Sequence, residues 1–206
     1  SLVGSEMCIR DRAKRYSEIN LMFWEKLERG EINRRQTLVG RFAALFEELG
    51  VTVEAGLAED TYENLLCIGH YFVPGAEKLL ESLHGKYHLY ICSNGSKKVQ
   101  DSRIASSGIA KCFDGIFISE ELGLNKPDKR YFEACFAQIL DFKRESSIMV
   151  GDSLTSDIKG AHNAGLRSVW FNPAHKAMTG DAAPDYEIDA LEKLPILLAE
   201  LSEVSE

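Results

Sequence analysis

Residues 148–157 read IMVGDSLTSD, and this stretch decides the fold that we predict for the chain. Its opening apolar run is typical of a buried strand in a parallel sheet. The strand stops at Gly151, and two acids, Asp152 and Asp157, follow as the chain turns towards a helix. In open α/β sheets, ligands bind beyond the carboxyl ends of the strands. A carboxylate at that position suits a hard cation such as Mg²⁺. The alternative is purely structural: Asp152 would be a turn residue and Asp157 a residue at the start of a helix.

The length and composition of the chain fit one domain, or a core domain with a smaller insert, because it has 206 residues and 45% of them are hydrophobic. A net charge of −8 argues against a nucleic-acid partner, which would require basic patches. No apolar stretch is long enough to cross a membrane, and we expect a cytoplasmic protein. The five cysteines are scattered without a C-x-x-C pair, which favours reduced thiols. The histidines show no metal-ligand spacing.

The order of the predicted elements divides the chain into three parts. Residues 1–12 (SLVGSEMCIRDR) have neither a strand nor a helix period, and the string resembles a peptide produced when sequencing-adapter DNA is read as coding sequence. We therefore expect residues 1–12 to be non-native. Residues 13–72 are helical in pattern, with a second helix ending at Gly50 and a third over Asp60–Phe72. From Pro74-Gly75 onwards, strands and helices alternate, which indicates a parallel sheet with crossover helices over residues 73–206.

The alternating part contains further predicted strands and helices around the strand that ends at Gly151. We predict that Pro127 opens a helix whose apolar face includes Phe132, Cys135, Phe136, Ile139 and Leu140. The other elements are predicted as helix Ala76–Leu83, strand His88–Cys92, helix Ser96–Ser107, strand Gly115–Ile118, strand Ser168–Phe171, strand Tyr186–Ile188 and helix Leu191–Leu201.

Three loops leave the carboxyl edge of this predicted sheet together. The first, Ser93-Asn94-Gly95, offers a hydroxyl and the backbone amides of a helix N-terminus, which suit an anion. The second carries Lys126, a mobile positive charge, and the third is Asp152–Asp157. Each feature alone has an ordinary structural explanation as a cap, a turn or a surface lysine. Together, at successive strand ends, they predict a site for phosphate and Mg²⁺.

These residues resemble the motifs of the haloacid dehalogenase-like (HAD) hydrolase superfamily. The strand ending in Ser93-Asn94-Gly95 resembles its second motif, Lys126 before Pro127 its third, and residues 151–157 its fourth, GDSxxxD. The resemblance implies an α/β fold, a Rossmann-like three-layer core with a parallel sheet and an inserted helical cap. Three further stretches resemble the noncanonical pyrimidine 5′-nucleotidases within the superfamily: residues 23–32, 117–123 and 152–172.

The resemblance also implies a mechanism and a set of roles. Such enzymes attack a phosphate monoester with an aspartate, pass through an aspartyl-phosphate and use a second aspartate as general acid and base. Carried over, Ser93, Asn94, Gly95 and Lys126 bind the phosphoryl group, and Asp152 coordinates Mg²⁺. Asp157 supports the metal site or orients Lys126. The helices of residues 13–72 correspond to part of the cap, the substrate is a small phosphorylated molecule, and the protein is a monomer or a homodimer.

The first motif of that family, an apolar strand ending in D-x-D-x-T, is absent from the 206 residues. The chain as written therefore lacks the nucleophile and the acid/base, and we expect it to be inactive. We interpret the sequence as an N-terminally truncated gene in which residues 1–12 replace the first strand. Because that strand is central in the family, its loss would leave two neighbouring strands without a pairing partner.

Several alternatives remain open at this stage. The site could serve a phosphatase for another small phosphate ester, such as a sugar phosphate or phosphoglycolate. A dehalogenase is disfavoured by the phosphate-handling form of the fourth motif. A non-catalytic protein that binds phosphate and Mg²⁺ is the alternative of a different class. A phospho-receiver domain is set aside, because its acids would precede the hydroxyl and lysine loops.

Overall fold

The computed structural model describes residues 9–203. It divides the chain into two compact units, the first extending to Leu66 and the second beginning at Cys67. The predicted border, between residues 72 and 73, falls slightly later in the chain. Most of the predicted non-native segment lies outside the described residues, but its last four residues, Ile9–Arg12, are already helical.

The first unit consists of three helices packed in sequence. They are α1 (Ile9–Glu28), α2 (Arg34–Leu49) and α3 (Ala55–Leu66). Helix α2 begins with a capping box, because the Asn33 side chain accepts from Gln36 N and the Gln36 side chain accepts from Asn33 N. It ends at Gly50, whose left-handed φ of 64° confirms the predicted cap.

A buried ion pair holds the second and third helices together. The Arg41 guanidinium donates to Glu59 Oε2 at 2.7 Å, and both side chains are almost fully buried. Three aromatic rings surround the guanidinium: Tyr16, Phe42 and Tyr62. These three rings therefore pack inside the unit around the ion pair.

The second unit is an α/β fold with parallel strands, as predicted. Its strands are β1 (Tyr90–Ser93), β2 (Gly115–Ile118), β3 (Ile148–Gly151), β4 (Arg167–Phe171) and β5 (Tyr186–Ile188). Its helices are α4 (Ala76–Leu83), α5 (Lys97–Ser107), α6 (Ser119–Leu122), α7 (Lys129–Phe136), α8 (Lys159–Ala164) and α9 (Leu194–Glu203). Strand β1 pairs with β2 in one sheet, and β3, β4 and β5 form a second sheet in that order.

Two apolar clusters cover the two faces of these strands. The first surrounds Tyr131, Phe132 and Cys135 of α7 with Ala164, and contacts Cys92 and Met149. The second is formed by α4, α9, β4 and β5, and contacts Leu89, Ile148 and Val150. Residues 148–150 of β3 thus alternate between the clusters, as expected for a strand buried on both faces.

Several predicted boundaries were wrong. Helix α3 lies earlier than the predicted Asp60–Phe72, because Glu54 caps it by accepting from the amides of Gly56 and Leu57. Pro127 does not open α7, which begins at Lys129 after Asp128 accepts from Arg130 N. The helix ends at Phe136, so Ile139 and Leu140 do not extend its apolar face, and Leu140 is 90% exposed.

Candidate active site

Lys126 is the centre of the candidate site. It is only 6% exposed, and its ammonium donates to the Cys92 carbonyl oxygen at 2.6 Å and to Asp157 Oδ1 at 2.7 Å. A buried charge is tolerated only when it is paired and hydrogen-bonded in this way. Since an ammonium group has three protons, these two bonds within the described residues leave one for a third acceptor.

The Asn94 side chain fixes the backbone at Lys126. Its amide nitrogen donates to the Lys126 carbonyl oxygen at 2.9 Å, and its amide oxygen accepts from Lys126 N at 2.9 Å. The phosphate contact predicted for Asn94 is through its backbone amide and stays a prediction. Its side chain joins the first and second predicted loops. The sequence signal was an Asn directly after a strand, but its partner cannot be identified from spacing.

Ser93 and Gly95 face each other at the carboxyl end of β1. The Gly95 amide donates to Ser93 Oγ at 3.0 Å, and both residues are half-buried. Helix α5 then begins after Ser96, whose side chain accepts from Val99 N. A hydroxyl and an amide thus lie beside the start of a helix, where the helix dipole favours an anion.

Asp157 lies against the end of β3. Its second carboxylate oxygen, Oδ2, accepts from Ser153 N at 3.1 Å, and the residue is 5% exposed. A Cβ atom added to Gly151 would overlap this carboxylate, so the glycine makes room for it. Both Asp157 oxygens therefore already have partners, which suits an orienting role for Lys126 better than direct metal ligation.

Asp152 is exposed at the carboxyl end of β3, in contrast to Asp157. The indole nitrogen of Trp170 donates to the backbone oxygen of Asp152 at 3.1 Å, a contact that residue spacing does not predict. No group of three or more His, Cys, Asp or Glu side chains able to hold a metal occurs within residues 9–203. An exposed carboxylate nonetheless fits Mg²⁺, which keeps several waters and needs few protein ligands when phosphate supplies others.

A pair of thiols lies behind Lys126. Cys92 and Cys135 are both free, as are Cys67 and Cys112. A hydrogen bond from Cys135 lowers the pKa of Cys92, and the nearby Lys126 ammonium lowers it further. The same thiol–thiol contact, together with burial, raises the pKa of Cys135. Burial also raises the pKa of Tyr131, whose hydroxyl donates to the Phe117 oxygen at 2.8 Å.

The structure thus brings together residues from all three predicted loops. Ser93, Asn94 and Gly95 follow β1, Lys126 is joined to Asn94, and Asp157 is joined to Lys126. Asp152 lies at the same end of β3, without a contact to Lys126 among the described hydrogen bonds. No helix within residues 9–203 is long and apolar enough to cross a membrane.

The chain is similar in sequence to a family model and to several known proteins. A model described as haloacid dehalogenase-like hydrolase matches residues 9–165. Pyrimidine 5′-nucleotidase PynA of Streptococcus pneumoniae is 36% identical over 180 residues, which is 87% of this chain and 76% of the relative. Pyrimidine 5′-nucleotidase YjjG of Escherichia coli is 33% identical over 183 residues, 89% of this chain and 80% of the relative.

A solved structure shares the fold over most of the chain. The crystal structure of YfnB from Bacillus subtilis, described as a HAD-hydrolase bound to magnesium, has a TM-score of 0.88 and 38% sequence identity. The match covers 93% of this chain and 84% of YfnB.

Proposed function

The chain belongs to the haloacid dehalogenase-like hydrolase family, and we propose that its site serves Mg²⁺-dependent hydrolysis of pyrimidine nucleoside monophosphates. The observation that carries this proposal is the buried Lys126–Asp157 pair, which holds a cation beside the hydroxyl-and-amide end of β1. The two relatives named as pyrimidine 5′-nucleotidases support the substrate class.

Each residue of the site has a task in binding a phosphate monoester. The Ser93 hydroxyl donates to a phosphate oxygen beside the start of α5, where the helix dipole favours an anion. The remaining proton of the Lys126 ammonium donates to another oxygen and offsets its charge, while Asp157 and the Cys92 carbonyl keep that ammonium in place. Asp152 holds Mg²⁺, which when bound neutralises negative charge on the phosphate and positions it.

The chain as written would bind its substrate without hydrolysing it. Hydrolysis through an aspartyl-phosphate needs a nucleophilic aspartate and an acid/base group. The 206 residues contain no two aspartates separated by a single residue, so the D-x-D pair of the family has no counterpart. We therefore assign phosphate and Mg²⁺ binding to the residues present and leave the covalent step to a D-x-D segment that this chain does not carry.

Calorimetric titration with UMP and Mg²⁺ tests the binding half of this proposal. We expect UMP binding that requires Mg²⁺, is lost in Asp152→Asn and is strongly weakened in Ser93→Ala. AMP and phosphoglycolate serve as competitors, because equal affinity for all three would contradict a pyrimidine nucleotide site. UMP binding that is unchanged by EDTA and by Asp152→Asn would exclude the assigned Mg²⁺ role.

Independent amplification of the source DNA tests the catalytic half. An in-frame strand ending in D-x-D-x-T ahead of the Ala13 codon should yield a protein that hydrolyses UMP with Mg²⁺. The printed chain serves as the inactive control. Turnover by the printed chain at a comparable rate would contradict the proposed role of the D-x-D pair.

A further inference from the structure

A cavity of about 200 Å³ lies at the amino ends of β1 and β2. Two loops line it: residues 84–88, between α4 and β1, and residues 111–114, directly ahead of β2. Ser93 lies at the other end of β1. The four residues of β1 put its two ends about 10 Å apart, at a rise of about 3.3 Å per residue. The cavity, here called the amino-edge cavity, is therefore separate from the site around Lys126.

Basic side chains dominate the lining of the amino-edge cavity. Lys86 and Lys111 each carry a positive charge, and His84 and His88 gain one when they are protonated. Neither lysine forms an ion pair with a carboxylate of the described residues. In a chain with a net charge of −8, two such lysines on one concave surface create a local positive potential, which attracts an anion.

Asp114 is the one acid among the nine lining residues, and its carboxylate already has hydrogen-bond partners. Its Oδ2 accepts from Leu89 N at 3.0 Å and lies 3.3 Å from His88 Nδ1. The amide donor and the imidazole offset part of the negative charge. The repulsion between Asp114 and a bound anion is therefore reduced, although it is not abolished.

Several backbone amides of the two loops are occupied within the fold. The amides of Lys86 and Tyr87 both donate to the Leu83 oxygen, at 3.0 and 3.1 Å. The amide of Asp114 donates to the Leu89 oxygen at 2.8 Å. Recognition of a ligand in this cavity therefore depends chiefly on the lysine and histidine side chains, whose positive charge selects an anion over a neutral molecule.

The size of the amino-edge cavity favours a small anion over a larger ligand. Pockets for drug-sized ligands have volumes of about 300–1,000 Å³, and this cavity is smaller. We propose that it is a binding site for a doubly charged oxyanion of the size of inorganic phosphate, held by Lys86 and Lys111 with His84 and His88 beside them. Two lysines balance two negative charges, and the oxyanion accepts hydrogen bonds from the ammonium and imidazole groups.

Amide NMR spectra of the isotope-labelled chain, recorded during titration with inorganic phosphate in the presence of EDTA, test this site. We expect saturable changes in chemical shift at residues 84–88 and 111–114. Sodium chloride at the same ionic strength is the control, and it should not produce them. Because EDTA removes divalent metal ions, the binding that is measured does not depend on the Mg²⁺ site proposed at Asp152.

Double variants with matched changes in charge identify the donors. Lys86→Ala with Lys111→Ala should weaken phosphate binding at these residues by at least about fivefold. Lys78→Ala with Lys143→Ala removes two exposed lysines outside the cavity lining and should leave the affinity unchanged. Lys86→Arg with Lys111→Arg keeps both positive charges and should retain binding.

Asp114→Asn gives a test that a loss of structure cannot imitate. The substitution removes the one acid of the lining but keeps a side-chain oxygen that can accept from Leu89 N. We expect the affinity for phosphate to rise by roughly two- to fivefold, because a like charge is removed. A fall in affinity would contradict the proposed position of the anion.

Three results would overturn the proposal. They are shift changes that sodium chloride reproduces, shift changes confined to residues around Gly95, and phosphate binding that survives the paired alanine substitutions of Lys86 and Lys111. The first would show a general effect of salt, the second binding only at the site around Lys126, and the third a different set of donors. The measurement involves no turnover, so its outcome is independent of the proposed hydrolysis.

Discussion

At the scale of single residues, the Lys126–Asp157 pair determines both stability and chemistry. Both side chains are 8% exposed, so removing one partner leaves a buried charge without its counterion. We expect Lys126→Met and Asp157→Asn each to lower the free energy of unfolding by about 3–5 kcal/mol. The free energy of unfolding of the double variant should fall by less than the sum of the two single losses. The difference, the coupling energy, should be about 1–3 kcal/mol.

Urea unfolding of the four proteins measures this coupling. The slope of the unfolding free energy against urea should stay constant across the series, which shows that the same structure unfolds. Strictly additive losses would mean that the two side chains do not interact energetically, and Lys126 would then be held by the Cys92 carbonyl alone.

Trp170 offers a second test at this scale, because it orients the backbone of Asp152. Trp170→Phe keeps an aromatic ring but removes the indole donor to the Asp152 oxygen. A hydrogen bond of this kind contributes about 0.5–1.5 kcal/mol, so we expect Mg²⁺ affinity to fall by roughly two- to tenfold. Calorimetric titration with Mg²⁺ provides the measurement.

Trp24→Phe is the matched control for this experiment. The same indole donor is lost there, but its partner is Asn20 Oδ1 in the helical unit. Mg²⁺ affinity should not change in this variant. Equal weakening in both variants would indicate a general loss of structure rather than a positioning role of Trp170.

At the scale of elements, the start of α2 depends on one side chain. Asn33→Ala removes the acceptor for Gln36 N and disrupts the capping box. We expect a loss of about 1 kcal/mol in the free energy of unfolding, measured by urea or thermal unfolding. Asn33→Ser, which keeps a capping oxygen, should recover most of this loss, and failure to do so would point to a different role for Asn33.

The helices and strands predicted well from the sequence are those whose boundaries are marked by common turn or capping residues. Helix α4 and strand β2 match the prediction residue for residue, and α5 ends, as predicted, at Ser107, with Gly108 after it in the left-handed conformation. Helix α3 was misplaced because Glu54, an uncommon capping residue, begins it. The end of α7 was missed because no glycine marks the point at which the chain leaves the helix.

The residues of the candidate site also differ in whether the sequence carries a signal for them. That Ser93, Lys126, Asp152 and Asp157 lie near one edge of the strands could be expected, because the loops that follow parallel strands gather at that edge. Their roles in binding stay predictions. The contacts of the Cys92 carbonyl and the Trp170 indole could not be expected, because they depend on which backbone atoms face the site. Neither residue type carries a signal for such a role.

At the scale of the whole molecule, the irregular segment between α3 and α4, at the start of the second unit, is a candidate for local cleavage. Tyr71 is 91% exposed and lies outside any helix or strand, between α3 and α4. We expect limited chymotrypsin digestion to cut first after Tyr71, because exposed irregular segments are preferred by proteases. Mass spectrometry of the first fragments gives the site.

Tyr71→Ser serves as the control for this digestion. It removes the cleavage residue without touching a helix or strand, so the initial fragments should disappear while slower cuts persist. First cuts within α2 or α7 would contradict the choice of Tyr71 as the preferred cleavage site.

The two hydrogen bonds of Asn94 have a consequence for chemical ageing. An Asn-Gly sequence loses its side-chain amide when the following backbone nitrogen attacks the side-chain carbonyl, but here Lys126 holds the amide and Ser93 Oγ accepts from Gly95 N–H. The folded chain therefore slows its own deamidation. Once the loop opens, the product is a carboxylate that can no longer donate to the Lys126 carbonyl, and it adds negative charge beside the proposed phosphate site. The rate of Asn94 deamidation in the folded protein is therefore set by how often the turn at residues 93–95 opens.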